Sequence, residues 1–102
     1  MKVFTQSVNF NADKDLINYV EKKANQLVKF HDKIVDVEVF LKVQNTSDKE
    51  NKIIEIKLNI PGNELIVKRE TKTFEEGINL GIDSLKRQLK KSKEKTRDSL
   101  IS

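Results

Sequence analysis

The sequence predicts an α+β fold, a two-layer βαβββα sandwich with a four-stranded mixed sheet and both helices on one face. Three observations predict it. Four stretches alternate apolar and polar residues with a period of two, two others repeat apolar residues at helical spacing, and each strand offers only one strongly apolar parity for the helices to cover.

Residues 2–10 alternate, with Phe4, Val8 and Phe10 on the apolar parity and Thr5 and Ser7 on the polar one, which reads as the first strand. Asn11 and Asp13 then offer N-caps, and Asp15 suits the positive end of a helix dipole. Leu16, Ile17, Val20, Ala24, Leu27 and Val28 recur at helical spacing, predicting a helix over 13–29. Its other face, with Asn18, Glu21, Lys22, Asn25 and Lys29, is expected in solvent. From Ile34 the period becomes two: Val35, Val37, Val39, Leu41 and Val43 face one way and Asp36, Glu38, Phe40, Lys42 and Gln44 the other. Residues 45–51, NTSDKEN, have turn chemistry. In the next strand Ile54, Ile56, Leu58 and Ile60 face inward and Glu55, Lys57 and Asn59 outward; Pro61-Gly62-Asn63 ends it and opens a further strand over 64–71.

Thr73-Phe74-Glu75-Glu76 has the form of a capping box, in which Thr73 caps the last helix and Glu76 reaches back. Phe74, Ile78, Ile82, Leu85 and Leu89 fall within a narrow arc at about 100° per residue and form a seam that can pack on the sheet. The last three strands should form an antiparallel meander. The first must reach the second through a helical crossover, so that pair should be parallel with a right-handed connection.

A chain of 102 residues supports one hydrophobic core and not two, so residues 1–96 are expected to form a single domain with a short frayed tail over 97–102. The alternating, polar start at residues 1–15 predicts neither a signal peptide nor a transmembrane helix, and with no cysteine in the chain a cytoplasmic, reducing compartment is expected.

Enzyme chemistry is not expected. His31 is the only histidine and, without cysteines, reads as a helix-end side chain; no metal or cofactor is predicted. Glu75 and Glu76 are adjacent and do not share a helix face, which suits capping and the dipole better than paired acid–base work. Gly77 and Gly81 lie four apart inside the last helix and suit close packing on a neighbouring element.

The charge does suggest a function. The protein carries a net +4, yet seven basic residues against one acidic lie between Lys86 and Arg97, a local +6. Like-charged pairs such as Lys86/Lys90 and Arg87/Lys91 each cost a few tenths of a kcal/mol in an isolated helix, which suggests an external polyanion. The rest of the chain is nearly neutral, so this basic edge predicts a directed contact with nucleic acid; Lys22, Lys23, Lys29 and Lys42 are candidates to widen it, against the alternative that they are ordinary surface charge. There is no tryptophan, and the aromatics lack the spaced pair of a base-stacking sheet; most of them suit the core. Phosphate and shape contacts to folded or duplex RNA are the expected mode.

Two long segments then carry a resemblance. NYVEKKANQLVKFHDKIVDVEVFLKV, residues 18–43, and TFEEGINLGIDSLKRQLKKSKEK, residues 73–95, with its RQL-x-K-x-K-x-K pattern, resemble the short ribosome hibernation-promoting factors, also called ribosome-associated inhibitor A or sigma-54 modulation proteins, over essentially residues 1–96. The resemblance implies a fold similar to double-stranded RNA-binding domains. It also implies binding to the small ribosomal subunit and its ribosomal RNA, in the channel of messenger and transfer RNA, with inhibition of translation in slow growth or stationary phase. By motif position it implies that Arg87, Lys91, Lys93 and Lys95 meet ribosomal RNA, with Lys23 at a helix-one position that is often basic; Lys86 and Lys90 join them on charge alone. It implies neither a membrane nor a small-molecule substrate, and a monomer off the ribosome is the simplest expectation. Where the family commonly has alanine-alanine-isoleucine-aspartate, this chain reads Glu76-Gly77-Ile78-Asn79. Ending at Ser102, it is expected to lack the C-terminal domain with which long forms dimerise ribosomes. A generic duplex-RNA module and a protein-interaction domain regulating transcription are the competing readings.

Overall fold

The computed structural model describes residues 2–44 and 49–101, with side chains as far as Lys91. The elements run β1 (Lys2–Val8), α1 (Lys14–Asn25), a 3₁₀ turn (Gln26–Lys29), β2 (Asp36–Val43), β3 (Lys52–Ile60), β4 (Asn63–Thr71) and α2 (Phe74–Ile101). The sheet has the order β1-β2-β3-β4, with β1 parallel to β2 and the other neighbours antiparallel. This is the predicted βαβββα sandwich. The turn expected over 45–51 falls partly outside the described residues; at its base the Gln44 N–H donates to the Asn51 carbonyl at 2.8 Å. The fraying expected over 97–102 falls on residues whose side chains also lie outside the described set.

The core follows the periods. Val37, Val39 and Leu41 of β2, Ile54, Ile56, Leu58 and Ile60 of β3, and Val67 of β4 are buried beneath Leu16, Val20, Ala24 and Leu27 of the first helical segment and Phe74, Ile78, Ile82, Leu85 and Leu89 of α2. Each of these side chains larger than alanine stabilises the fold by about 1.5–3 kcal/mol relative to exposure. Asp13 caps α1, its carboxylate accepting from the Leu16 N–H at 2.8 Å. Thr73 caps α2, its hydroxyl accepting from the Glu76 N–H at 3.2 Å. Among the described residues Glu76 makes no return bond, so only half of the expected capping box is built.

Several expectations need correction. The first helix is α-helical only to Asn25 and finishes as a 3₁₀ turn, whose tighter winding carries Val28 out of the predicted apolar stripe to 42% exposure. Val35 precedes β2 and is exposed, while Ile34 is buried in its stead. The largest correction concerns β1. In the parallel register Val3, Thr5 and Ser7 stand opposite the buried Val37, Val39 and Leu41, so the helix-facing parity is the one expected to be polar. Phe4 and Val8 instead point to the open face, and Phe4 is 52% exposed. Phe10 returns to the core because the strand stops at Val8 and Asn9 adopts φ 68°, a left-handed conformation that asparagine tolerates better than most residues. Its ring stacks on Phe74 at 4.7 Å between centroids and 11° between planes. A consequence of the reversed parity is that the Thr5 hydroxyl oxygen is buried without a partner among the described residues.

On the open face Lys57 lies 3.3 Å from Glu64 and 3.7 Å from Glu38. The hydrogen bond and charge of Glu64, followed by the charge of Glu38, hold its ammonium above the usual lysine range. The Asn59 amide donates to the Asp36 carboxylate on the same face.

The two helical glycines let α2 settle on the sheet. A Cβ at Gly81 would stand 2.8 Å from Ile56 Cδ1, and one at Gly77 would collide with Ile54 and stand 2.8 Å from Thr71 Oγ1. Gly77→Ala is therefore expected to destabilise the protein by about 1–3 kcal/mol through overpacking, despite alanine's better helix propensity. Urea unfolding should show a lower midpoint with an unchanged slope.

Candidate nucleic-acid interface

α2 presents its seam to the sheet, so its opposite arc faces solvent. At about 100° per residue that arc carries Lys86, Arg87, Lys90 and Lys91. All of them but Lys86 are exposed, and Lys86 is half-buried because it lies toward the first helical segment. Its ammonium donates to Gln26 Oε1 at 3.2 Å and lies 5.7 Å from the centre of the Phe30 ring. Lys23 of α1 holds its ammonium 5.6 Å from the centre of the Tyr19 ring. Cation–π contacts of this kind contribute about 0.5–1 kcal/mol at exposed sites. Their effect here is to fix two flexible lysines beside the helix–helix junction.

That junction is tied by a hydrogen bond from the Tyr19 hydroxyl to Asn79 Oδ1 at 2.6 Å, connecting α1 to α2. Three adjoining concavities follow. The first, between the helices, is lined by Lys23, Gln26, Asn79, Ile82, Asp83 and Lys86. The second is lined by Phe30, Asp83, Lys86, Arg87 and Lys90, and the third, on the far flank of α2, by Ser84, Arg87, Gln88, Lys90 and Lys91. Asp83 and Lys86 are shared by the first two, and Arg87 and Lys90 by the last two, so the three run together as one largely cationic strip.

Of the residues expected at the interface, Lys23, Lys86, Arg87 and Lys90 are thus brought together around the junction, and Lys91 stands on the outer flank. The side chains of Lys93 and Lys95 lie outside the described residues. Sequence reasoning did not place Tyr19, Gln26, Phe30, Asn79 and Asp83 at the site. The spacing of four between Tyr19 and Lys23 is a local signal for one of these contacts. The others arise where two segments about 60 residues apart dock, which no local pattern reports. Most of the aromatics serve the core as expected: Phe74 is buried and Phe10, Tyr19 and Phe30 pack against it, the last two also supporting cations, while Phe4 is exposed and Phe40 half-buried on the open sheet face. Among the described residues no three histidine, cysteine, aspartate or glutamate side chains converge as metal ligands, and no helix is long and apolar enough to cross a membrane.

A two-layer βαβββα module that gathers cations from both helices along one strip presents a surface complementary in charge to a polyanion. The chain belongs to the family described as Sigma 54 modulation protein / S30EA ribosomal protein, whose pattern matches residues 3–97. It is 33% identical over 100 residues to a ribosome hibernation promoting factor of Pseudomonas putida, covering 98% of this chain and 94% of that one. A ribosome hibernation promoting factor of Azotobacter vinelandii is 36% identical over 80 residues, covering 78% and 71%. In fold the chain is similar to a ribosomal subunit interface protein from Coxiella burnetii, with a TM-score of 0.80, 20% identity and coverage of 92% and 99%. It is also similar to the N-terminal domain of Protein Y from Thermus thermophilus, with a TM-score of 0.71, 24% identity and coverage of 88% and 93%.

The tie between the helices can be measured. Tyr19→Phe removes the hydroxyl and keeps the ring, and is expected to cost about 0.5–1.5 kcal/mol of stability. In a double-mutant cycle with Asn79→Ala the two effects should fall short of additivity by about 1 kcal/mol, read from denaturant unfolding.

Proposed function

We propose that this protein is a ribosome hibernation factor that binds the small ribosomal subunit through the cationic strip of α1 and α2. Lodged in the channel of messenger and transfer RNA, it inhibits translation in slow growth or stationary phase. Family membership and the near full-length match to a ribosome hibernation promoting factor support the assignment. The observation that carries the mechanism is the docking of the two helices, which sets Lys23 beside Lys86 at one end of a strip that Arg87 and Lys90 continue along α2. Lys91, Lys93 and Lys95 extend the same strip in this reading.

The protein acts by occupying space, with no chemical step. Its cations neutralise ribosomal RNA phosphates and release their counterions, and the two-layer body then excludes RNA from the path it fills. Ribosomes also set the compartment, which is the cytoplasm. A generic duplex-RNA module accounts less well for the sequence, because such a domain places its key lysines at the start of the last helix, and residues 73–83 contain no lysine or arginine.

Arg87→Glu combined with Lys91→Glu should abolish cosedimentation with small subunits and restore translation of a reporter message. Single reversals should weaken binding and flatten its salt dependence. For duplex nucleic acid each lost phosphate contact lowers the log–log slope by about 0.9, and structured ribosomal RNA should follow similarly. Wild-type binding by the double variant would refute this function.

A further inference from the structure

Among the described residues that line the cationic strip, one is an anion. Asp83 lines both the concavity with Lys23 and Lys86 and the one with Phe30, Arg87 and Lys90. Taking about 100° per residue from Leu85, it lies at about 160°, between Lys90 at about 140° and Arg87 at about 200°. Its side chain is exposed, and no described lysine or arginine nitrogen comes within 4.0 Å; the ion pairs found, Lys57 with Glu38 and Glu64, lie on the opposite face of the protein. Nor does the helix dipole account for it, since Asp83 stands well beyond the first turn of α2, where Glu75 and Glu76 sit.

An ionised carboxylate in this place repels the phosphates that its neighbours attract. It can only accept hydrogen bonds, so what it can favour is a donor. With Lys23 in one concavity, Arg87 and Lys90 in the next and Lys86 shared by both, phosphates held in the two concavities leave the carboxylate facing the sugar and base edge between them. RNA presents donors there: the 2′-hydroxyl in the shallow groove, and base N–H groups where strands open. We infer that Asp83 is a specificity-determining residue of the strip, accepting a hydrogen bond from an RNA donor between bound phosphates and disfavouring polyanions that offer none. This rests on the RNA-binding reading above and deepens it.

The test is Asp83→Ala, an exposed change to a residue of higher helix propensity that leaves the core intact. At fixed salt its affinity for small ribosomal subunits should fall about tenfold or more, as expected for a lost hydrogen bond to a charged group. Its affinity for inorganic polyphosphate, which has phosphates and no such donors, should rise a few-fold. Asp83→Asn keeps an acceptor oxygen and loses the charge, so it should gain as much on polyphosphate and lose less on small subunits. Matched RNA and DNA duplexes identify the donor: a wild-type preference for RNA that collapses in Asp83→Ala assigns it to the 2′-hydroxyl, and one that persists assigns it to a base N–H. Small-subunit binding by Asp83→Ala equal to or tighter than wild type overturns the inference and leaves the hibernation reading standing. Failure of the wild-type protein to bind small subunits would instead defeat that reading.

Discussion

The seating of α2 on β3 and β4 is the constraint on which the rest depends. Five apolar side chains, Phe74, Ile78, Ile82, Leu85 and Leu89, fill the space over the sheet, and the two glycines between them bring the helix backbone against Ile54, Ile56 and Thr71. A helix held on one arc has no rotational freedom left. The direction of its cations is therefore decided by the packing of its opposite face, and a rotation large enough to turn Arg87 away from solvent would expose the seam. Core and charged surface are two sides of one geometric decision.

The second consequence of that seating is the junction with the first helical segment. Lysines on a free surface lose side-chain entropy when they meet a ligand. Lys23 and Lys86 have already spent part of it, one against Tyr19 and the other against Phe30 and Gln26. Their ammoniums keep open positions toward solvent while their stems pack, a compromise suited to long cationic side chains. Arg87, Lys90 and Lys91 remain exposed and adaptable. The strip thus combines a preorganised end with a flexible one.

Much of the fold was legible because its strongest elements are locally consistent. The alternation through Ile54, Ile56, Leu58 and Ile60 and the seam of α2 admit one orientation each, and the structure buries all of these residues. β1 was legible as a strand but not in its facing, since Val3 sits on one parity and Phe4 and Val8 on the other. What decides between them is the ladder with β2, a contact across more than thirty residues. The 3₁₀ ending of the first helix and the left-handed Asn9 are local events with no periodic signature. The same division runs through the site: the α2 cations follow from helical spacing, whereas their partners Gln26, Phe30 and the Tyr19–Asn79 bond exist only once the helices dock.

The aromatic stack of Phe10 on Phe74 joins the end of the first strand to the first turn of the last helix. Seen along the order of synthesis, that contact sets a timetable. A chain emerging from its N-terminus holds β1 and α1 early, but the lid over β3 and β4 comes last. Until α2 is free the sheet has half its roof and Phe10 has no ring to rest on. Folding of these elements therefore completes as a unit only once α2 has been made, and the cationic strip is assembled no earlier.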